Sequence, residues 1–350
     1  MNRFAPLCLL LLIGLAGIPV ASAKGSLSST ETLISGRTMG TVYHVKVVST
    51  EPIETDPLQS EMGTMLAALN ASMSTYDSQS EISRLNGAPA GDPVMVSADF
   101  IRVMKLARQI YDLTGGAWDG TVAPLINLWG FGPKGRLTRV PSSTAIETAL
   151  ETVGFDHIQP RDDRFLVKQN PKVTLSLASI AKGYGVDQMA DILKRKGYAN
   201  FLVEIGGEVY AQGHNVTGEP WRVGINRPDP GGRLDTVYRV VRLSRTALAT
   251  SGDYRQFYEI EGKRYSHIIN PKTGYPVQNG VVSVSVVAGN CALADGLATA
   301  LMVMGPQKGL MLVNALDGVD ALIVVREEGG QWMDYISNGF QKKQGAKPDL

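Results

Sequence analysis

The sequence predicts an α+β fold in which helices pack on mixed, largely antiparallel sheets. Apolar residues recur at helical spacing over 57–74, and Ser97 is a capping residue that opens a second helix over 97–113. Over 201–287 the pattern changes to short apolar strands separated by turns that contain glycine and proline. No internal repeat or clear linker divides the chain, so we expect one domain over residues 24–340.

The remaining elements are predicted from local patterns. Thr41–Val48 is rich in β-branched residues and predicts a strand, whereas glycines and prolines punctuate 120–141 and predict an irregular loop. A polar tail is assigned to 341–350. The other predicted elements are a helix from Ser142 or Ser143 to about Thr152, a hairpin near 164–177, helices at about 180–196, 291–304 and 306–315, and a strand at 319–325.

The first 23 residues predict a secretory signal peptide. A short positive start at Arg3 precedes an apolar stretch over 7–20, and the small residues at 21–23 form a cleavage site. The apolar stretch is short for a membrane span, so we expect a periplasmic mature chain without a stable membrane span. The alternative is an uncleaved membrane anchor. The mature chain keeps one cysteine, Cys291, and therefore cannot form an internal disulfide.

Composition excludes some classes of function. A formal net charge of +1 with 19% charged residues argues against a nucleic-acid binder that depends on bulk positive charge. Walker A, H-E-x-x-H, C-x-x-C and G-x-S-x-G sequences are absent, so the common nucleotide, zinc, dithiol and hydrolase signatures are unsupported. Residues 130–135 match G-x-G-x-x-G, but Pro133 interrupts the match and no strand leads into it.

Two clusters have the composition of a site for a heteroaromatic ring. Tyr76 lies at a predicted helix end, where its ring could project into a cleft, although an ordinary half-buried tyrosine is the alternative. Gly115 and Gly116 allow a tight turn before Trp118, a flat apolar surface, and Asp119, a hydrogen-bond acceptor. The alternative for this second cluster is a plain helix C-cap followed by a turn.

A third cluster predicts a phosphate site where a strand ends and a helix begins, between Ser176 and Tyr184. Free N–H groups and the positive end of the helix dipole favour an anion there. Lys182 opposes that dipole, so its position needs another reason, and a bound phosphate supplies one. The alternative is a lysine that points into solvent.

A fourth cluster predicts a metal site. Asp295 and Thr299 are four residues apart on a predicted helix, so their side chains share one face. Mg²⁺ takes such oxygen ligands and completes its shell with substrate phosphates and water. The alternative is that Thr299 bonds back to the helix carbonyls while Asp295 points to solvent.

Together these clusters resemble the ApbE family of FAD:protein FMN transferases. The motifs occur in family order and cover nearly all of residues 35–335. They are Gly36–Thr41, Ser74–Tyr76, Gly116–Asp119, Pro124–Gly132, Ile180–Tyr184, Val203–Glu208, Thr250–Arg255, Ser266–Pro271 and Ala294–Asp295.

The resemblance implies an α+β fold related to the T-fold. It also implies transfer of FMN from the substrate FAD to a protein threonine or serine through a phosphoester bond, with release of AMP. Acceptors in the family are often subunits of membrane-associated redox complexes. Mg²⁺ is expected at Asp295, Thr299 and Ser179, the last through its backbone carbonyl. FAD is expected against Met39, Tyr76, Ala117, Trp118, Asp119, Ser176, Lys182 and Ile269.

A base must take the proton of the acceptor hydroxyl. His267 is the candidate because it is the one histidine of the four that lies in a family motif, and Asp253 is the second candidate. The chain departs from the family at Ser176, where an acidic residue is frequent, and at Ala298, where some members carry aspartate. Three alternatives stay open: an FAD pyrophosphatase giving FMN and AMP, a non-catalytic flavin-binding assembly factor for a redox complex, and a secreted domain without a flavin site.

Overall fold

The computed structural model describes residues 29–132, 135, 137–229, 236–253, 257–327 and 329–343. The predicted signal peptide, Pro133 of the glycine-rich match and residues 344–350 of the predicted tail therefore lie outside the described residues.

The helices of the described residues are α1 (Thr55–Met73), α2 (Glu81–Gly87), α3 (Ala98–Leu113), α4 (Ala123–Leu128), α5 (Ser143–Leu150), α6 (Ala178–Arg195), α7 (Cys291–Asn314) and α8 (Phe340–Lys343). The strands are β1 (Thr30–Thr38), β2 (Thr41–Ser49), β3 (Pro93–Met95), β4 (Ile158–Pro160), β5 (Phe165–Lys168), β6 (Asn200–Ile205), β7 (Glu208–Gln212), β8 (Trp221–Asn226), β9 (Val237–Leu243), β10 (Thr246–Gly252), β11 (Phe257–Ile260), β12 (Lys263–Ser266), β13 (Val281–Ala288), β14 (Asp320–Arg326) and β15 (Trp332–Ile336).

An eight-stranded sheet organises the fold, in the order β1-β2-β6-β7-β10-β13-β14-β15. Every neighbouring pair in it is antiparallel. The smaller sheets β3-β5-β4, β8-β9 and β11-β12 are antiparallel as well. This arrangement confirms the predicted α+β class with largely antiparallel sheets.

The two faces of the main sheet are covered differently. Helices α1 and α6 pack on β2 and β6, helix α7 packs on β10, β13 and β14, and helix α3 packs on α6 and α7. The β8–β9 hairpin and α8 contribute to the apolar cluster on the opposite face. Strand β13 is buried along its whole length because both of its faces are covered. The first turns of α6 and α7 therefore meet above the middle of the sheet.

Most of the predicted elements are confirmed, including the strand from Thr41, the helices capped by Ser97 and Ser142, and the helices near 180–196 and 291–304. Gly305, with φ 77°, and Pro306 divide α7 into the two helical segments that were expected. The elements that the sequence patterns did not predict are β1, α2, β3, α4, β4, β15 and α8.

Two local predictions were wrong. Residues 120–141 are not wholly irregular, because α4 forms with Pro124 at its start, where a missing N–H costs nothing. The hairpin near 164–177 does not form, because β5 pairs with β3 and β4 instead. The amide of Asn86 bonds to both the N–H and the C=O of Leu175, at 2.7 and 2.9 Å, so a side chain replaces the expected strand partner.

Helix α7 is long and apolar enough, by length and composition, to cross a membrane, and no other helix of the described residues is. More than half of its most apolar window is buried inside the protein. Its kink at Gly305 and its packing on β10 and β13 are typical of a core helix in a globular domain.

Helices α6 and α7 touch at backbone distance. A methyl group placed on Gly183 of α6 would lie 2.5 Å from the carbonyl oxygen of Cys291, in the first turn of α7. Asp187, one turn further along α6, accepts hydrogen bonds from the N–H groups of Cys291 and Ala292 at 2.7 and 2.9 Å. A glycine contact and a carboxylate cap thus fix the two helix starts against each other.

We expect Gly183→Ala to lower the free energy of unfolding by about 1–3 kcal/mol, because the added methyl must displace backbone rather than a flexible side chain. The matched control is Gly63→Ala in α1, where a methyl would meet nothing within 4 Å. That substitution should be neutral or stabilise by up to about 1 kcal/mol. Thermal and urea unfolding measure both changes, and a Gly183→Ala protein as stable as wild type would contradict the close contact.

Candidate active site

A cavity of about 920 Å³ opens where the starts of α6 and β7 meet α7, β8 and β10. Of the thirteen residues singled out from the sequence, eleven line it. They are Tyr76, Ala117, Trp118, Asp119, Ser176, Ser179, Lys182, His267, Ile269, Asp295 and Thr299. Met39 and Asp253 are not among the lining residues. Four separate clusters of the sequence therefore meet at one place.

One end of the cavity is charged. Asp295 on α7 is 5% exposed, and its Oδ2 accepts a hydrogen bond from the backbone N–H of Gly183 at 3.1 Å. The Nζ of Lys182 lies 2.6 Å from Oε2 of Glu208, the first residue of β7. The alternatives in which Asp295 and Lys182 point freely into solvent are therefore wrong.

At this end two carboxyl groups lie near one ammonium group. Burial raises the pKa of Asp295 above its ordinary value, while Lys182 and the N–H of Gly183 act in the opposite direction. Burial also raises the pKa of Glu208, and Asp295 raises it further. For Lys182, burial alone would lower the pKa, but Asp295 and Glu208 more than offset it and raise that pKa. Both carboxyl groups are thus easier to protonate than usual, and an added cation would favour their ionised forms.

The oxygen atoms near Asp295 suit a hard cation that also binds oxygens from water or from a substrate. Thr299 lies one turn after Asp295, and its Oγ1 is 3.2 Å from Oγ of Ser251. Ser179 lies in the first turn of α6. The described residues contain no group of three or more His, Cys, Asp or Glu side chains able to hold a metal. A metal here would therefore depend on hydroxyl, carbonyl and substrate oxygens, which Mg²⁺ accepts.

The residues expected to hold the heteroaromatic ring differ in exposure. Trp118 is 1% exposed, and its indole N–H donates to Oγ of Ser179 at 2.9 Å, so it also braces the start of α6. Tyr76 is 96% exposed at the cavity edge, which differs from the half-buried tyrosine considered as the alternative. Ala117 and Ile269 give the cavity buried apolar walls.

Asp119 orders the turn on which Trp118 lies. Its Oδ1 accepts from the N–H and the hydroxyl of Thr121 at 2.7 and 2.6 Å, and its Oδ2 accepts from the N–H of Phe155 at 3.1 Å. Burial raises the pKa of Asp119, whereas these hydrogen bonds act to lower it. The N–H of Gly116 bonds to the carbonyl of Tyr111, so the helix C-cap considered as the alternative is present within the same cluster.

The loop before α6 is held on two sides. The N–H of Ser176 donates to the carbonyl of Gly120 at 2.7 Å, and the side-chain amide of Asn86 hydrogen-bonds to the backbone of the neighbouring Leu175. The ammonium of Lys168 is buried and donates to the carbonyl of Asn86 at 2.6 Å and to two further carbonyls. This network fixes the loop against the turn that carries Trp118.

The two candidate bases occupy different surroundings. His267 lines the cavity, with its ring centroid 6.3 Å from that of Phe131 in an edge-on arrangement. Asp253 instead pairs with Arg264 at 3.3 Å. Burial raises the pKa of Asp253 to about 6, while Arg264 acts to lower it. Only His267 of the two is therefore placed to meet a group inside the cavity.

Polar lining residues to which the sequence reasoning gave no role include Asn86, Glu208 and Ser251. Glu208 and Ser251 lie inside motifs of the family resemblance, each next to a glycine: Gly207 in a tight turn and Gly252 at the end of β10. A polar side chain next to a glycine was the sequence signal that could have identified these two residues. Whether such a side chain is buried depends on the register of the main sheet, which the signal does not contain.

Met39 lies outside the cavity lining but close to α6. It adopts a left-handed backbone with φ 48° in the turn between β1 and β2. Its side chain packs against the core, and a methyl on Gly185 would lie 3.4 Å from its Cε. In this structure Met39 supports α6 from outside the cavity.

Comparison with known proteins places these observations in a family. The sequence profile of the ApbE family matches residues 39–323. The FAD:protein FMN transferase of Vibrio cholerae is 41% identical over 309 residues, which cover 88% of this chain and 91% of that protein. The protein of the same name from Haemophilus influenzae is 39% identical over 320 residues, with coverage of 90% and 92%.

Solved structures agree with the sequence comparison. The flavin transferase ApbE from Vibrio cholerae superposes with a TM-score of 0.81 at 40% identity, covering 90% of this chain and 99% of the other. The apo form of the flavinyl transferase ApbE from Pseudomonas stutzeri gives a TM-score of 0.81 at 38% identity, with coverage of 91% and 98%. The sequence profile, the identities and the shared fold together show that this chain belongs to the ApbE family.

Proposed function

We propose that this chain is an Mg²⁺-dependent FAD:protein FMN transferase. In the reaction, the hydroxyl of an acceptor threonine or serine attacks the FMN phosphorus of FAD. A phosphoester bond forms, the diphosphate P–O bond to AMP breaks, and the hydroxyl proton passes to a base. The observation that carries the proposal is the meeting of Asp295, Thr299 and Lys182 at one end of the cavity of an ApbE-family chain.

The charged end of the cavity fits the diphosphate. Asp295 and Thr299 would hold Mg²⁺ together with the backbone carbonyl of Ser179, and Lys182 would hold a phosphate oxygen. When bound, Mg²⁺ would neutralise the negative charge that develops on the phosphoryl group and on the leaving AMP oxygen. The ammonium of Lys182 is already charged and partly desolvated, so it contributes to binding with little reorganisation.

The flavin would occupy the wider part of the cavity. Ala117 and Ile269 offer apolar contact there, and Tyr76 at the edge is free to pack on an entering ring. Trp118 and Asp119 would act mainly by holding the turn in shape, because their polar atoms are already bonded within the protein. Ser176 leaves the flavin without the acidic contact that is frequent in the family.

We propose His267 as the base for the acceptor hydroxyl, since it lines the cavity and Asp253 does not. A neutral imidazole takes such a proton near neutral pH. The acceptor is proposed to be a subunit of a membrane-associated redox complex. The residues before 24 support secretion to the periplasm, where such an acceptor would be met.

Two other functions use the same cavity. An FAD pyrophosphatase would admit water in place of the acceptor hydroxyl and release FMN and AMP. A flavin-binding assembly factor would retain FAD without turnover. Mass spectrometry of the acceptor, combined with chromatography of FMN and AMP, separates the three functions in one experiment.

We expect Asp295→Asn to lower FMN transfer by at least about 100-fold at saturating FAD, because it removes the one carboxylate proposed for the metal. The assay follows the mass of an acceptor fragment incubated with residues 24–350, FAD and Mg²⁺. Asp191→Asn is the matched control, since Asp191 pairs with Lys194 at the protein surface and does not line this cavity. Equal transfer by the wild type and Asp295→Asn would contradict the proposed metal site.

We expect His267→Gln to lower kcat by about 100-fold or more with a smaller change in the KM for FAD, as for loss of a general base. Asp253→Asn, tested in parallel, should leave kcat within a few-fold of wild type when the protein remains folded. Steady-state kinetics of AMP release with a saturating acceptor measure both variants. The reverse ranking, with Asp253→Asn the slower enzyme, would transfer the role of the base to Asp253.

A further inference from the structure

Glu208 is a buried acidic residue that lines the cavity and has no role in the proposed transfer reaction. It begins β7 directly after the tight turn at Gly206 and Gly207, and the residue is 4% exposed. Its carboxylate lies 2.6 Å from Nζ of Lys182, which belongs to α6. A buried carboxyl group needs a partner that compensates for the lost hydration, and Lys182 is that partner.

Lys182 needs a partner that fixes the position of its ammonium group. Its ammonium group ends a flexible four-carbon stem, and fixing that stem costs up to about 2 kcal/mol of rotamer freedom. The two carboxylates that act on it come from different elements, Glu208 from β7 and Asp295 from α7. Asp295 also accepts the N–H of Gly183 and is proposed for the metal, so it is shared. Among the described contacts of the site, the carboxylate of Glu208 has no side-chain partner other than Lys182.

We propose that Glu208 is a positioning residue, whose carboxylate holds the ammonium of Lys182 at the charged end of the cavity, ready for the diphosphate of FAD. This inference rests on the proposed function, because it assumes that Lys182 meets a phosphate. Glu208 acts through Lys182 and not by touching FAD, since a carboxylate beside a diphosphate would repel it.

Positioning and a plain charge effect predict opposite results when Glu208 is neutralised. If Glu208 only added negative charge to the cavity, its neutralisation would tighten the binding of an anionic ligand. If it positions Lys182, its neutralisation releases the ammonium and weakens the binding of that ligand. The same substitution should have no effect once Lys182 is gone, because effects that pass through one residue are not additive.

The experiment measures dissociation constants for FAD and for riboflavin by flavin fluorescence, without acceptor. The proteins are the wild type, Glu208→Gln, Lys182→Met and the double variant. We expect Glu208→Gln to weaken FAD binding about 10-fold and to leave riboflavin, which has no phosphate, within about 2-fold. In the Lys182→Met background, Glu208→Gln should change FAD binding by less than about 2-fold.

Glu204→Gln is the matched control from the same turn. Glu204 bonds to the N–H of Gly207 at 2.6 Å and to His44 at 2.7 Å, and it does not line the cavity. It should bind FAD as the wild type does. Glu208→Asp keeps the charge on a shorter side chain, and it should retain more FAD affinity than Glu208→Gln. If Glu208→Gln does not fold, as judged by thermal unfolding, the same test uses Glu208→Asp, made both in the protein with Lys182 and in the Lys182→Met protein.

Two results would overturn the inference. One is FAD binding by Glu208→Gln that equals or exceeds that of the wild type. The other is an equal loss of FAD affinity on Glu208→Gln substitution in the protein with Lys182 and in the Lys182→Met protein. A parallel loss of riboflavin binding would show a general structural role and would also overturn it. Failure of the wild type to bind FAD would instead count against the proposed function, so the two failures are distinguishable.

Discussion

The buried carboxylate of Asp295, at the contact between two helices, is the feature on which the rest of the site depends. An ionised group with so little exposure requires compensation, which a backbone N–H from α6 and a nearby ammonium group supply in part. Both donors lie on α6, so the two helices must stay at backbone distance. Gly183 permits that distance, and the Asp187 cap maintains it.

The same contact explains why distant segments meet at one cavity. The start of α6 brings Ser179 and Lys182, and α7 brings Asp295 and Thr299, while the main sheet below brings Glu208 and Ser251. Trp118 then bonds to Ser179, which fixes the apolar side of the cavity to the charged side. The charged end of the site lies on helices and strands that pack in the core, which favours preorganised charge over movement on binding.

Sequence patterns were sufficient where the chemistry was local. Helical spacing located Asp295 beside Thr299, and the predicted start of the helix near residue 180 located Lys182. Patterns failed where long-range pairing decided the outcome. The segment after Lys168 stays extended without a strand partner because the side chain of Asn86 takes its hydrogen bonds. The burial of Glu208 follows from the position of β7 between β6 and β10, which no local pattern contains.

Edge strands show a second limit of sequence reasoning. Strands β1 and β15 close the two ends of the main sheet and bury few residues, so their sequences lack the apolar alternation that predicts a strand. The two candidate bases illustrate the same limit within the site. His267 and Asp253 are equally polar in sequence, and only the path of the chain separates the residue at the cavity from the residue paired with Arg264.

We infer that the carboxylate of Asp295 binds a cation, and that this cation helps to bind the diphosphate of FAD. The most direct test is the dissociation constant of FAD across a Mg²⁺ titration, measured by stopped-flow flavin fluorescence before turnover. The account predicts that Mg²⁺ tightens FAD binding about 10-fold or more, since the two ligands share the site. An FAD affinity that is the same with and without Mg²⁺ would contradict it.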